Sequence, residues 1–137
     1  MSSVTFRVGG TPRPQGSKRH VGGGRLVESS KGLKSWRPAV TVAATVAMGG
    51  RAPFEGPVQC DVTFWMPAPK RLTRRFPTVR PDIDKLERAI YDAMSGVVYV
   101  DDSQIVRHVV RKLYGSPGCQ VTVEQIGASD GEEEGVA

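Results

Sequence analysis

The stretch that decides the fold runs from residue 80 to residue 106 and reads RPDIDKLERAIYDAMSGVVYVDDSQIV. Its first half places apolar residues three or four positions apart, which is the spacing of one helix face: Ile83, Leu86, Ile90, Ala93 and Met94. Gly96 is a helix stop signal, and a short apolar segment then leads to the adjacent acids Asp101 and Asp102. This pattern predicts a helix over about residues 82–95, followed by a short connection and a strand.

Outside this stretch, alternating apolar and polar residues predict strands over residues 4–8 and 58–66. Two more strands are predicted over residues 105–113 and 119–126, around a Gly-Ser-Pro-Gly turn. A helix is predicted over about residues 33–48, where a Gly-Gly pair ends it. This order of elements predicts a single α+β domain, in which a small mixed β-sheet carries two main helices packed on it.

Smaller features refine the prediction. Three glycines at positions 22–24 are expected to form the bend between two short strands. Pro38 is expected in the first turn of its helix or at a kink, because an interior proline lacks the N–H that the helix needs. The domain is expected to span residues 1–127, and residues 128–137, which are acidic and rich in glycine, are expected to form a disordered tail.

The composition excludes several classes of protein. No apolar run approaches the roughly 18 residues that a membrane span requires, and the N-terminal segment lacks a secretion signal. We therefore expect a cytoplasmic protein with no membrane partner. Cys60 and Cys119 lie in alternating apolar segments and are expected to be buried thiols. The two histidines, His20 and His108, stand far apart in the sequence, so the spacing of a zinc site is absent.

The charge is distributed unevenly along the chain. The full sequence carries a net charge of +5, but four of its 14 acids lie within the last eight residues. Residues 67–81 contain five Lys and Arg side chains and no acid. A basic body of this kind suits a polyanion such as nucleic acid, because its cations neutralise phosphates and release counterions. The alternative is that the positive charge serves only solubility.

Four carboxylates stand out, in the pairs Asp82 with Asp84 and Asp101 with Asp102. A helix that returns to a sheet could bring the two pairs together. Clustered carboxylates repel one another unless a cation lies between them, and Mg²⁺ prefers carboxylates together with phosphate oxygens. Such an ion can activate water and stabilise the leaving oxygen in phosphodiester hydrolysis.

Each pair of acids also has a purely structural explanation. Asp82 or Asp84 could cap the helix, and Asp84 could form an ion pair with Arg88 one turn later. Asp101 and Asp102 could simply form a turn before a strand. Taken together these explanations weaken, since a cap needs no second aspartate and a turn needs no adjacent pair.

The same stretch resembles the RusA family of Holliday-junction resolvases. The family pattern is D-x-D-N-L-x-K, then D-A-L, then D-D-x-Q-[IV] and a later lysine, and residues 80–112 follow it closely. The resemblance implies a homodimeric endonuclease that nicks four-way DNA junctions during recombination and repair. It also implies dependence on Mg²⁺, with Mn²⁺ as an alternative, and a location in the cytoplasm of a bacterium or of a phage's bacterial host.

The resemblance also assigns roles to individual residues. The metal-binding acids of the family correspond to Asp82, Asp84 and Asp102, with Asp101 in a supporting position. Two residues depart from the pattern, because the family asparagine is Lys85 here and the catalytic lysine is Arg88. Arginine can grip a phosphate but cannot donate a proton near neutral pH. Arg88 is therefore expected to stabilise charge, and an acid role would require Lys85 or metal-bound water.

The basic loops are expected to form the DNA-binding surface. The residues assigned to it are Arg13, Gln15, Ser17, Lys18, Arg19, Lys70, Arg71, Arg74, Arg75 and Arg80, together with Lys85 and Lys112. Phe76, set among arginines, could stack at an opened base step, but packing as a loop anchor on the core is favoured. Trp36 and Trp65 are expected to pack, and neither histidine is assigned a role.

Two other functions fit the same residues. One is a less selective metal-dependent nuclease acting on flaps or duplex DNA, because phosphate contacts would look alike in both enzymes. The other is a module that binds DNA junctions but cuts them weakly, with Lys85 and Arg88 marking the loss of activity. The full set of acids disfavours pure binding, since carboxylates repel phosphate.

Overall fold

The computed structural model describes residues 2–16, 18–21, 25–28 and 32–127, with the backbone alone at 18–21 and 25–28. Six strands lie in these residues: β1 (Ser3–Gly9), β2 (Lys18–Val21), β3 (Arg25–Glu28), β4 (Val58–Met66), β5 (Ile105–Tyr114) and β6 (Gly118–Gln125). The two main helices are α1 (Leu33–Met48) and α2 (Ile83–Met94), and a 3₁₀ turn at Asp102–Gln104 precedes β5. The predicted α+β class is confirmed. Ser17, the glycines at 22–24 and the acidic segment 128–137 lie outside the described residues.

The main sheet is mixed and has the strand order β1-β6-β4-β5. Strands β4 and β5 run parallel, whereas β6 is antiparallel to both β4 and β1. Helix α2 makes the crossover between the parallel strands, as parallel pairing requires. Strands β5 and β6 follow each other around the predicted turn, but β4 lies between them. Strands β2 and β3 form a separate antiparallel pair.

The core lies between the helices and one face of the sheet. Alternation along β4 buries Val58, Cys60, Val62, Phe64 and Met66 on that face, as the period of two requires. Helix α1 covers it with Trp36, Val40, Ala44 and Met48, and α2 with Leu86, Ala89, Ile90, Ala93 and Met94. Each large apolar side chain buried there contributes about 1.5–3 kcal/mol to stability. The packing therefore holds α2, which carries the candidate acids, against the sheet.

Some local predictions are confirmed and one is wrong. Gly49 ends α1 with a φ of 58°, and both cysteines are buried. Ile83 was predicted on the buried stripe of α2 but is 38% exposed, because that stripe begins one turn later at Leu86. Pro38 is the sixth residue of α1, beyond its first turn, so a kink is the part of its prediction that stays open. None of the helices in the described part of the chain is long and apolar enough to cross a membrane.

Candidate functional site

The first group of candidate acids lies at the start of α2. Asp82 is the N-cap residue, but its side chain accepts no capping hydrogen bond, so its carboxylate is not bound to the first amides of the helix. Its carbonyl oxygen accepts hydrogen bonds from the amides of Lys85 and Leu86 instead. Lys85 Nζ lies 3.7 Å from the Asp82 carboxylate. Asp84 lies exposed in the first turn, so both carboxylates of the D-x-D pattern are accessible at this end of the helix.

Lys112, at the end of β5, ties the preceding loop to this end of α2. Its ammonium donates hydrogen bonds to the carbonyl oxygens of Val79 at 2.9 Å and of Pro81 at 2.8 Å. Burial lowers the pKa of Lys112, while the negative charge of Asp82 opposes that shift. Lys112 was assigned to the DNA-binding surface. The structure shows that it holds the loop in place next to the first candidate ligand.

The second group of acids is held by a capping box around the 3₁₀ turn. The Asp101 carboxylate accepts a hydrogen bond from the amide of Ser103 at 2.9 Å. Hydrogen bonding from the Ser103 side chain, and then from its amide, lowers the pKa of Asp101. Gln104 Oε1 accepts hydrogen bonds from the backbone amides of Val100 and Asp101. Its Nε2 donates hydrogen bonds to the carbonyl oxygens of Phe54 and Gly56. Asp101 and Gln104 therefore fix the backbone that presents Asp102. The D-x-x-Q spacing of a capping box is a sequence signal for this role, although our prediction did not use it.

Asp102 sits in a field of negative charge. Desolvation raises its pKa, and the charges of Asp101 and Asp92 raise it further. Asp92 lies in the third turn of α2, so the second group comprises three carboxylates from two elements. Carboxylates are hard oxygen donors, and a divalent cation near Asp102 would relieve this repulsion.

Within one chain, the two groups of acids lie towards opposite ends of α2. Asp82 caps the helix, and Asp92, beside Asp102, follows ten residues later, about 15 Å further along the helix axis at 1.5 Å per residue. The residues that the structure describes contain no cluster of three acid, histidine or cysteine side chains that could hold a metal ion. The crossover helix therefore does not by itself bring the two pairs together.

The segment before β2 lies across the surface of α2. The backbone N–H of Gln15 donates a hydrogen bond to the carbonyl oxygen of Lys85 at 2.9 Å, and the side-chain Nε2 of Gln15 donates one to the Asp92 carboxylate. Gly16 has a φ of 106°, and a Cβ there would overlap the Arg88 guanidinium. These bonds hold the loop that carries Gln15 against α2. The assignment of Gln15 to DNA remains a prediction. Arg88 is exposed and lies against this loop at the middle of the helix.

A basic cleft opens between the two cationic loops. It has a volume of about 1010 Å³, and Asp82 lies on its wall. The cations that line it are Arg13, Arg71, Arg74, Arg80 and Lys85. The cleft therefore places positive side chains from two loops beside a carboxylate of the D-x-D pattern.

The loop over residues 70–76 is exposed along its whole length. It carries Lys70 and Arg75 in addition to the arginines of the cleft. Phe76 is 50% exposed, and the Arg75 guanidinium lies 5.3 Å from the centre of its ring. The favoured packing of Phe76 on the core is therefore wrong. Lys18 and Arg19 are described only by their backbone in β2, and Ser17 lies outside the described residues, so their assignments remain predictions.

Sequence reasoning missed a contact between α2 and β5. Glu87 is buried on the sheet-facing side of α2, and its carboxylate is hydrogen-bonded to His108 Nδ1 on β5. Tyr91 Oη lies 3.3 Å from the same nitrogen. An acid among the buried positions of the α2 stripe was the available signal, because a buried carboxylate needs partners. The identity of its partner depends on the parallel register, which the sequence pattern does not reveal.

Comparison with known proteins gives the class. A sequence profile described as Endodeoxyribonuclease RusA matches residues 7–124, which include α1, α2 and nearly all of the main sheet. The fold, the acids and this match together define a DNA-cutting hydrolase of the α+β class. The chain belongs to the RusA family, whose nucleases depend in general on divalent metal ions and include Holliday-junction resolvases.

A protein of Bacillus subtilis (strain 168), named Uncharacterized protein YqaN, is similar along nearly the whole chain. The two sequences are 29% identical over 145 residues, which cover 93% of this chain and all of the Bacillus protein. This chain therefore has about the length of that relative.

Proposed function

We propose that this protein is a Mg²⁺-dependent endonuclease that resolves four-way DNA junctions by paired cleavage. The observation that carries the proposal is the position of Asp82 on the wall of the basic cleft. A carboxylate in a groove built for phosphates opposes binding unless a cation accompanies it. Family membership supplies the reaction class, and the cleft supplies a surface for the DNA backbone.

The donor chemistry fits a hard divalent cation. Asp82, Asp84 and Asp102 would hold the ion, and Asp101 would keep Asp102 in position through the 3₁₀ turn. Desolvation raises the pKa of Asp102, and the charges of Asp101 and Asp92 raise it further; a cation would relieve this repulsion. When bound, a divalent cation supplies the activation of water and the neutralisation of charge that phosphodiester hydrolysis needs. The protein's own residues then position the phosphate and bind its oxygens.

Two copies of the chain would complete the site. Asp82 and Asp92, the helix acid whose charge acts on Asp102, are about 15 Å apart along α2, which is too far for one ion to bridge. A two-fold dimer offers two equivalent places where the first group of one copy can meet the second group of the other. Such a dimer also matches the paired strands of a four-way junction. We therefore propose a homodimer with shared active sites.

The basic loops would bind the DNA. The cleft arginines and the exposed loop over residues 70–76 are accessible to phosphates, and Arg88 would stabilise the charge that develops on the phosphate. Phe76, half-exposed and flanked by Arg75, is placed to stack on a base at the opened centre of a junction. Linear duplex offers no such unstacked base, so Phe76 favours junctions over duplex.

The proposal is tested by comparing substrates. In Mg²⁺, the protein should nick a four-way junction symmetrically on opposing strands and leave linear duplex of the same sequence intact. Equal cleavage of flaps and duplex would support the less selective nuclease instead. Tight junction binding without nicking in Mg²⁺ or Mn²⁺ would support the binding module. A chelator control separates metal-dependent nicking from contaminating activity.

A further inference from the structure

The pair of buried Glu87 and half-exposed His108 has no role in the function proposed so far. Glu87 is only 9% exposed, whereas the side chain of His108 is 54% exposed. A carboxylate taken out of water needs hydrogen-bond donors. His108 Nδ1 and Tyr91 supply them, and the pKa of Tyr91 is raised, first by burial and then by its bond to Glu87. Tyr91 therefore stays protonated and donates.

This arrangement orients the imidazole. Nδ1 carries the proton that is donated to Glu87, so the other ring nitrogen, Nε2, is left to face away from the pair. A carboxylate that holds one nitrogen of a histidine fixes the orientation of the ring. The pair is thus built like the carboxylate–histidine unit of enzymes that transfer protons.

The pair also lies beside a candidate metal ligand. Glu87, Tyr91 and His108 line a pocket of about 310 Å³ together with Asp102. The other charged or titratable groups around His108 are Arg107, which also lines the pocket, and Cys60, its register partner on β4. The carboxylates of Asp61 and Glu124 line a second pocket that His108 shares with Arg107 and Cys60. Burial raises the pKa of Cys60 to about 12, so that thiol stays neutral and does not exchange protons.

We propose that His108 is the general acid of the cleavage reaction and that Glu87 is its positioning residue. This inference rests on the proposed nuclease function. The family pattern has a lysine where this chain has Arg88, and an arginine cannot donate a proton near neutral pH. An imidazolium can, so His108 would supply the proton that Arg88 cannot. Among the described residues around Asp102, His108 is the group suited to that task.

The proton balance of the step is simple. Water attacks phosphorus, and the bond from phosphorus to the leaving oxygen breaks. The electron pair of that bond takes the Nε2 proton of His108, which releases the strand end as an alcohol. The attacking water loses its remaining excess proton to solvent, and the neutral imidazole regains a proton from solvent. Glu87 holds Nδ1 throughout.

A sulfur substitution tests this directly. A junction whose leaving oxygen at the scissile phosphate is replaced by sulfur needs no general acid, because a thiolate leaves unprotonated. For His108→Asn, single-turnover nicking of the normal junction should fall by about 10²–10⁴-fold, the usual contribution of general acid catalysis. On the sulfur junction the same variant should cleave at close to the wild-type rate. Asparagine retains a donor near the Nδ1 position, so Glu87 keeps a partner.

Two further variants make the test specific. Glu87→Gln should lose less activity than His108→Asn and should be rescued by the same sulfur substitution. Arg111→Asn is the control, since it changes the same strand on the opposite face of the sheet, where Arg111 pairs with Asp61 at 2.7 Å. It should cleave both junctions like the wild type.

The possible results separate the inference from the proposed function. Equal loss on both junctions would mean that the pair only supports the fold, and normal cleavage of the oxygen junction by His108→Asn would remove His108 from the reaction. Either result overturns the inference while the nuclease function stands. Wild-type protein that cleaves neither junction in Mg²⁺ would overturn the proposed function, and the inference with it.

Discussion

Arg88 stands where the family carries a lysine, and its neighbours suggest what it can do. It is exposed at the middle of α2 and packs against Gly16. If Arg88 neutralises charge on the phosphate, Arg88→Lys should keep substantial activity, whereas Arg88→Ala should lose roughly 10²-fold or more in single-turnover cleavage. Junction affinity should change less, because the basic loops still hold the phosphates.

The alternative is that Arg88 only pairs with Asp84 or Asp92 on the helix surface. In that case Arg88→Ala should cleave normally. Its free energy of unfolding should fall by only about 0.2–0.5 kcal/mol, the usual contribution of an ion pair one helical turn apart. The Asp92 carboxylate already accepts a hydrogen bond from Gln15, so it is less available as a partner for Arg88. Normal cleavage by the alanine variant would exclude Arg88 from the reaction.

Individual residues differ in how far the sequence predicts their role. Asp82 sits at the capping position that the sequence predicts for it, because capping depends on neighbours a few residues away. The capping box at Asp101 is equally local, but it was not predicted. The assignment of Gln15 and Lys112 to DNA remains a prediction. Each also binds a segment distant in sequence, and the sequence does not predict such contacts because they depend on the tertiary fold.

At the scale of elements, the cationic loop before α2 carries a separate prediction. Changing Arg74 and Arg75 together to alanine should weaken binding to all DNA. It should also flatten the dependence of log K on log salt by up to about 0.9 per lost phosphate contact. The matched control removes two cations from α1, Lys34 and Arg37, and should leave the slope unchanged. A slope that is the same in the loop variant would show that this loop does not contact phosphate.

The strands and helices were predicted to within a few residues, and the reason is local. Strand β4 and helix α2 each bury one face, so apolar residues recur every two positions along β4 and about every 3.6 positions along α2. Strand order is not local. The turn after β5 leads to β6, yet β4 separates the two strands, because the α2 crossover places β5 parallel to β4 at the edge of the sheet.

The buried thiols report on the fold as a whole. Burial raises the pKa of both Cys60 and Cys119 from 9.0 to about 12, so neither is a thiolate near neutral pH. Alkylation by iodoacetamide at pH 8 should therefore be slow in the native state and fast after unfolding in urea. Since the folded state binds these protons more tightly, stability should fall as the pH rises from 9 towards 12. Rapid labelling of native protein would contradict the packing of β4 and β6.

The division of the acids between two ends of α2 makes a prediction about the whole assembly. Asp82→Asn and Asp102→Asn should each be inactive alone, but mixing them should restore nicking. In a mixed dimer with shared sites, one site carries both substitutions and the other carries neither. About half of the dimers would be mixed, each with one intact site, so the junction should be nicked on one strand.

Two controls make this mixing experiment decisive. Asp82→Asn mixed with Asp84→Asn should stay inactive, because both substitutions fall in the same group and every site is damaged. Asp82→Asn alone at the doubled concentration should also stay inactive. No recovery in the first mixture, with subunit exchange verified by a tag, would show that each chain builds its site alone.

The central claim is that Asp82, Asp84 and Asp102 make this protein a metal-dependent junction nuclease, and one measurement tests it most directly. Nicking of a four-way junction is followed with and without Mg²⁺ for the wild type and the three Asp→Asn variants, alongside junction binding. The account predicts nicking by the wild type in Mg²⁺ alone, no nicking by any variant, and retained binding by all. Nicking at the wild-type rate by any one of the variants would contradict it.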